Sequence, residues 1–325
     1  MNTRPFGSTG LTVTPIGLGL AAVGRPAYIT VGRADDLGRQ RSVDDLRRRS
    51  HELLDAAIAG GIRYVDAARS YGLAESFLGS WLDSRPAGAP IPTIGSKWGY
   101  TYIGEWRMDA AVHEVKDHSL AAFRRQFAES RAILGARLRL YQVHSATLES
   151  GILDDRDVLR ALAGLAEEGI VVGMSVSGPR QADVVRRALG IRLDGRNPFS
   201  SVQATLNLLE RSVEPALADA HAAGWGVVVK EAVANGRLAG RAAIPAVLAD
   251  VARRHGVGAD AVAMAAILAR PFVDVVLSGA ATVEQLASNL AAATVALTAD
   301  ELSALDELAE PADTYWAERS RLTWA

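Results

Sequence analysis

Eight short apolar, β-branched runs alternate with longer stretches of helical period along this chain of 325 residues. Each run is long enough to cross a sheet once, and each helical stretch is long enough to bring the chain back for a parallel neighbour. The predicted strands are Pro15–Leu20, Arg63–Asp66, Thr93–Lys97, Arg139–His144, Val171–Ser177, Ser201–Thr205, Gly226–Lys230 and Val273–Ser278. Predicted helices lie at Arg47–Ala59, Ala74–Leu82, Phe123–Leu134, Val158–Glu168, Ala182–Leu189, Val213–Ala223, Ala259–Ala269 and Val283–Ala293. Eight such units close a sheet on itself, so the predicted fold is an α/β (β/α)8 TIM barrel forming one domain over residues 1–325. Phe6–Val13 reads as an N-terminal β-hairpin plugging the barrel floor, and Thr298–Leu308 as an extra C-terminal helix. An open doubly wound sheet would need a glycine fingerprint opening directly into a helix after its first strand. Gly17-Leu18-Gly19 instead precedes a long polar segment, Leu20–Asp45.

Composition narrows the function. A net charge of −2 and a pI near 6.3 supply no basic face for nucleic acid or an anionic membrane. No cysteine is present, which removes disulfides, thiolate metal sites and thiol nucleophiles. The N-terminus lacks the order of a signal peptide, and no apolar stretch is of spanning length, so a cytoplasmic protein acting on a small molecule is expected. Only Lys97, Lys116 and Lys230 among 35 basic residues are lysine, which marks each as a place where an ammonium is specifically wanted.

In barrels of this kind chemistry gathers where strands end. Asp66, Lys97 and His144 end three consecutive strands, and Tyr71 lies just beyond Asp66. Carbonyl reduction needs hydride at carbon and a proton at the developing alkoxide, and a phenol of pKa about 10 donates readily only beside a cation. Lys97 fits that role toward Tyr71, Asp66 holds the ammonium, and a neutral His144 orients the carbonyl oxygen. Each residue alone is equally an N-cap, a packing tyrosine or a core histidine; the four together carry the reading. His51, His113, His118, His221 and His255 show no metal-ligand spacing, and no metal is expected.

At these residues the sequence resembles the aldo-keto reductases over nearly its whole length. Gly10-Leu11-Thr12-Val13 with Ile16-Gly17-Leu18-Gly19 resembles the family's hairpin and first strand, and Gly61-Ile62-Arg63-Tyr64-Val65-Asp66 with Tyr71-Gly72 and Glu75 its most characteristic stretch. The resemblance implies an Asp, Tyr, Lys, His tetrad on Asp66, Tyr71, Lys97 and His144, and an extended NADP(H) across the barrel mouth. It implies cofactor contacts at Gly19, Ser175, Gln203, Lys230, Gly236, Leu238, Ser278, Gly279, Thr282, Gln285 and Asn289.

This chain departs from the family in four places. Strand five reads Gly173-Met174-Ser175-Val176 where the family ends in Ser-Asn, and Leu206 stands at an aromatic position. Glu231-Ala232-Val233 replaces Ser-Pro-Leu, and Ser278-Gly279-Ala280-Ala281-Thr282 lacks the basic residue that pairs a 2′-phosphate, which makes NAD(H) an alternative cofactor. Trp98, Tyr102 and Trp106 are read as walls of an apolar pocket for an aldehyde or ketone. The Ala27–Ser42 insertion and the terminal Tyr315-Trp316-Ala317 and Trp324 are read as closing elements. The expected function is NAD(P)(H)-dependent reduction of a carbonyl to an alcohol. The alternatives are an NAD-linked aldose or alcohol dehydrogenase running oxidatively, a Schiff-base aldolase on Lys97 or Lys230, and a non-catalytic dinucleotide sensor.

Overall fold

The computed structural model describes residues 1–38, 40–240 and 243–324. Its strands in chain order are β1 (Arg4–Pro5), β2 (Thr12–Val13), β3 (Ile16–Gly19), β4 (Tyr64–Asp66), β5 (Thr93–Trp98), β6 (Tyr100–Tyr102) and β7 (Glu114–Lys116). They continue as β8 (Leu138–Ala146), β9 (Val171–Val176), β10 (Ser201–Thr205), β11 (Gly226–Lys230) and β12 (Val275–Ser278). Strands β3, β4, β5, β8, β9, β10, β11 and β12 close into one barrel in that order, every neighbouring pair parallel.

The surrounding helices are α1 (Arg33–Leu37), α2 (Val43–Ala59), α3 (Ala74–Asp83), α4 (Leu120–Leu134), α5 (Arg156–Gly164) and α6 (Gln181–Leu189). After them come α7 (Glu214–Ala222), α8 (Ala246–His255), α9 (Ala259–Leu268), α10 (Val283–Leu290), α11 (Ala299–Asp306) and α12 (Ala312–Ser320). No helix among the described residues is long and apolar enough to cross a membrane. Helix α2 begins at a Ser42–Asp45 capping box and buries Leu46, Leu53, Leu54, Ala57 and Ile58 against the barrel, the face its period requires.

The barrel interior is filled by pairing large with small side chains. Tyr64 is fully buried, and a β-carbon on Gly17 or Gly95 would stand 2.7 Å from its ring or hydroxyl. Below it the β1–β2 hairpin closes the floor: Phe6 is fully buried and clusters with Leu11, Val13, Tyr64, Leu140, Val228 and Val275. Both the barrel and this hairpin plug agree with the sequence reading. The β6–β7 hairpin, α1, α8 and α12 are additions that the strand–helix alternation does not show.

Candidate active site

Strands β4 and β5 run side by side with Asp66 opposite Gly95, which brings Lys97, two residues farther along β5, beside the chain that leaves β4. Lys97 is fully buried and all three of its N–H bonds are used: to Asp66 Oδ2, to the Ala67 carbonyl at 3.0 Å and to Tyr71 Oη at 3.2 Å. The other Asp66 oxygen accepts from Gln203 at 3.0 Å and from Tyr64 and Gln142 at 3.3 Å. A buried ammonium and carboxylate are therefore both paired and hydrogen-bonded, the condition under which such charges are tolerated. His144 meets Tyr71 edge-on at 5.5 Å, and its Nδ1 lies 3.3 Å from Ser70 Oγ. The four strand-end residues of the sequence reading thus converge.

The turn carrying Tyr71 is held by close backbone contact. Leu73 N–H donates to the Gly24 carbonyl at 2.8 Å, and a β-carbon on Gly24 would stand 2.3 Å from the Tyr71 carbonyl. Glu75, buried on α3, accepts from Ser96 of β5 at 2.6 Å and Ser130 of α4 at 2.7 Å and pairs with Arg69. It serves as a structural knot behind the site.

Electrostatics assign protonation states. Burial, then the charge of Asp66, raises the Tyr71 phenol well above 10, with Arg25 opposing. The sequence reading expected Lys97 to make this phenol more acidic; Asp66 neutralises that ammonium, and burial dominates. Burial, then Lys97 and Arg25, holds His144 well below 6.5, so its imidazole is neutral. His118 is lowered to about 4, chiefly by burial, and bonds the His144 carbonyl at 2.9 Å.

A cavity of about 370 Å³ runs from Asp66, Tyr71, Gln203 and Lys230 at one end to Gln285, Ser288 and Asn289 at the other. Gly19, Gly236, Ser278 and Gly279 also line it. Ser175, Leu238 and Thr282 do not. Ser175 Oγ accepts from Ser145 N–H at 2.8 Å, Leu238 is buried in an apolar cluster with Leu248 and Tyr315, and Thr282 caps α10 by accepting from Gln285 N–H at 3.2 Å. The volume falls within the range of small-molecule sites, and glycines on its walls leave room for close backbone approach. The Gln203 carboxamide near Asp66 and Tyr71, with Gln285 and Asn289 of α10 also on the walls, could hold a dinucleotide.

The expected aromatic pocket is not formed by the residues the sequence suggested. Trp98 is fully buried against Phe123 at 5.0 Å and His118 at 5.8 Å. Tyr102 Oη accepts from Trp106 N–H at 3.1 Å, while Trp106 donates to the Arg41 carbonyl at 2.8 Å and packs on Phe77. These rings hold the β6–β7 hairpin onto the barrel. Tyr100 of the same segment does reach the site, 5.1 Å from His144.

Other aromatic and cationic groups near the mouth come from distant chain segments. Arg25 is buried 5.6 Å from the Tyr71 ring, pairs with Glu114 at 2.8 Å, and lies beneath Trp324 at 4.6 Å. Trp324 also stacks on His113 at 4.4 Å and meets Tyr28 edge-on at 6.1 Å. Tyr315 and Trp316, read as closing elements, are instead buried, and Tyr315 Oη accepts from Asn207 at 3.0 Å. The Ala27–Ser42 segment lines the cavity through Tyr28, Thr30, Val31, Arg33 and Asp36; Arg39 lies outside the described residues.

Comparison with known proteins agrees with this geometry. The model of the Aldo/keto reductase family matches residues 16–310, and the chain belongs to that family. The family comprises oxidoreductases that generally bind nicotinamide cofactors. An uncharacterized oxidoreductase, YqkF, of Bacillus subtilis is 24% identical over 98% of this chain and 100% of its own. Pyridoxal 4-dehydrogenase of Microbacterium luteolum is 33% identical over 43% of this chain, a match spanning 42% of that enzyme. The holo form of an aldo-keto reductase from Bacillus halodurans shares the fold with a TM-score of 0.71 at 24% identity, covering 96% of this chain and 97% of its own.

Proposed function

We propose that this protein reduces an aldehyde or ketone to an alcohol with a nicotinamide dinucleotide, Tyr71 supplying the proton. The observation that carries this reading is the 3.2 Å bond from Lys97 to Tyr71 Oη at one end of the extended cavity. The bound dinucleotide supplies the hydride. Because Tyr71 Oη accepts from Lys97, its own proton is left to point at a carbonyl oxygen. A phenol raised well above 10 is fully protonated at neutral pH, as a general acid must be. Lys97 then stabilises the phenolate left behind, and Asp66 holds the ammonium in position. When Ser70 Oγ–H, 3.3 Å away, donates to Nδ1, the neutral His144 carries its proton on Nε2 and donates it to the same carbonyl oxygen.

We further propose NAD(H) rather than NADP(H). The distal end of the cavity is lined by Asp36, Asp260 and Glu284. Arg33, also there, is engaged by the carbonyls of Ala22, Arg25 and Pro26. A 2′-phosphate carrying close to two negative charges meets three carboxylates at that end among the described residues. The same acidic lining, with the partial match to a pyridoxal dehydrogenase, favours NAD-linked oxidation of an alcohol or aldose as the second reading.

Fluorescence titration with NADH and NADPH, combined with carbonyl-reduction assays of wild type and Tyr71→Phe, tests both points. NADH should bind more tightly than NADPH, and the variant should bind dinucleotide normally while kcat falls by roughly 10²–10⁴-fold. Unchanged turnover in Tyr71→Phe removes the reductase mechanism. Faster NAD-dependent oxidation than reduction at neutral pH selects the second reading.

A further inference from the structure

Lys230 ends β11 with its side chain 16% exposed, on the same cavity wall as Tyr71 and Gln203, and the proton-transfer chemistry gives it no role. Its Nζ donates to two neutral hydroxyls, Thr205 Oγ1 at 2.6 Å and Ser177 Oγ at 3.1 Å. The nearest carboxylate oxygen, Glu231 Oε1, is 3.8 Å away. That carboxylate is already gripped by Arg319 of α12, whose Nε lies 2.8 and 3.1 Å from its two oxygens and whose Nη2 also donates to it.

The charges at this end can be paired off. Asp66 takes Lys97, Glu231 takes Arg319, Glu114 takes Arg25, and His144 is neutral. Among these described groups, Lys230 is the cation without a carboxylate of its own, since Glu231 at 3.8 Å is shared with the closer Arg319. Hydride and proton go to adjacent atoms of one carbonyl, so the ring that gives up hydride belongs at the Tyr71 end of the cavity. That ring carries a positive charge when oxidised and none when reduced, whereas the diphosphate and adenosine are the same in both forms.

We infer that Lys230 discriminates between the oxidation states of the dinucleotide, weakening the oxidised form relative to the reduced one by repulsion between its ammonium and the cationic ring. The inference rests on the dinucleotide reading of the cavity. Hydroxyl partners hold the ammonium in place without cancelling its charge. In a site screened from water, one unit charge near another shifts binding by roughly tenfold or more. The protein therefore takes up the reduced cofactor against a background of the oxidised one and sheds the oxidised product easily.

The field already acts on Lys230 itself: its pKa is lowered to about 8, by burial first, with Arg319 and Lys97 adding to the effect and Glu231 and Asp66 opposing it. The facing groups lie outside the window around that value. Glu231 is held at about 2, His144 well below 6.5, Tyr71 well above 10 and Arg319 above its ordinary value. Between pH 7 and 9 Lys230 is the group of this set that loses its charge.

The test is to measure dissociation constants for NADH and NAD⁺, with NADPH and NADP⁺ in parallel, on wild type, Lys230→Met and Lys230→Arg. Lys230→Met should improve binding of the oxidised form relative to the reduced form by roughly tenfold, while Lys230→Arg keeps the wild-type ratio. Equal weakening of both forms in Lys230→Met assigns the ammonium to the shared diphosphate and overturns the inference. The wild type gives a variant-free check: affinity for the oxidised form should rise from pH 7 to 9 while that for the reduced form stays flat, and a flat oxidised form overturns the inference. Failure of wild type to bind any of the four removes the dinucleotide reading instead.

Discussion

Lys97 Nζ lies 3.2 Å from Tyr71 Oη while its remaining two N–H bonds are closed by Asp66 and the Ala67 carbonyl. Tyr71 and Asp66 both line the cavity, while Lys97 between them is fully buried. Replacing Lys97 by Met strands a buried carboxylate, which should cost about 3–5 kcal/mol of stability. The double variant Lys97→Met/Asp66→Asn should recover most of that loss in urea unfolding yet stay inactive. Equal stability of the single and double variants would show that Asp66 does not depend on the pair.

How far these residues can be read from the sequence depends on direction as much as on identity. Asp66, Lys97 and His144 each end an apolar run, and parallel strands fix where such ends gather. Trp98 follows Lys97, and successive strand residues face opposite sides, so a Lys97 that points into the barrel sends Trp98 outward to Phe123. Clustering of aromatic residues in sequence carries no such sign. Thr282 was legible as a helix cap, since Gln285 follows three residues later, but the cofactor pattern drew it to the cavity instead. Arg319 and Glu231 are 88 residues apart and Trp324 meets Arg25 across almost the whole chain; nothing local announces either contact.

The Gly24–Tyr71 contact predicts a sensitive position remote from any charge. A β-carbon at residue 24 would meet the Tyr71 carbonyl at 2.3 Å and the Ala74 β-carbon at 2.6 Å, on the turn that carries the Tyr71 phenol and the start of α3. Gly24→Ala should destabilise the protein by about 1–3 kcal/mol, the cost of overpacking, and lower kcat more than dinucleotide affinity. Thermal melts and steady-state kinetics on the variant check this. A lowered melting temperature with wild-type kcat would show that the turn shifts as a whole and keeps Tyr71 in place.

Acid should weaken the fold through His118 and His144. Both are held neutral below the ordinary 6.5, His118 at about 4, chiefly by burial. Because the unfolded chain takes up these protons first, the stability is fully present above about pH 6.5 and is lost as pH falls toward the folded values. For His118 the loss between pH 6.5 and 4 is at most about 3 kcal/mol. His118→Gln, which can still bond the His144 carbonyl, should flatten the stability profile in that window. An unchanged slope in urea unfolding at pH 6.5, 5.5 and 4.5 would contradict it.

Release of the dinucleotide should depend on a contact at the far end of the cavity. Gln285 Nε2 donates to Asp36 at 2.8 Å, and its Oε1 accepts from Ala281 N–H at 2.8 Å, so one side chain ties the segment holding α1 to the loop after β12. Both residues line the cavity, at the end that the proposed dinucleotide reading gives to the adenosine. A ligand leaving by that end must part the two, which costs about one hydrogen bond to a charged acceptor, roughly 1.5–3 kcal/mol. Gln285→Leu keeps the bulk but loses both bonds, and stopped-flow fluorescence should record dinucleotide dissociation faster by roughly tenfold or more. The rate of the chemical step in single turnover should be unchanged, because Tyr71 and Lys97 lie at the opposite end. If dissociation keeps its wild-type rate, the ligand leaves without parting Asp36 from Gln285, and the segment is a fixed wall.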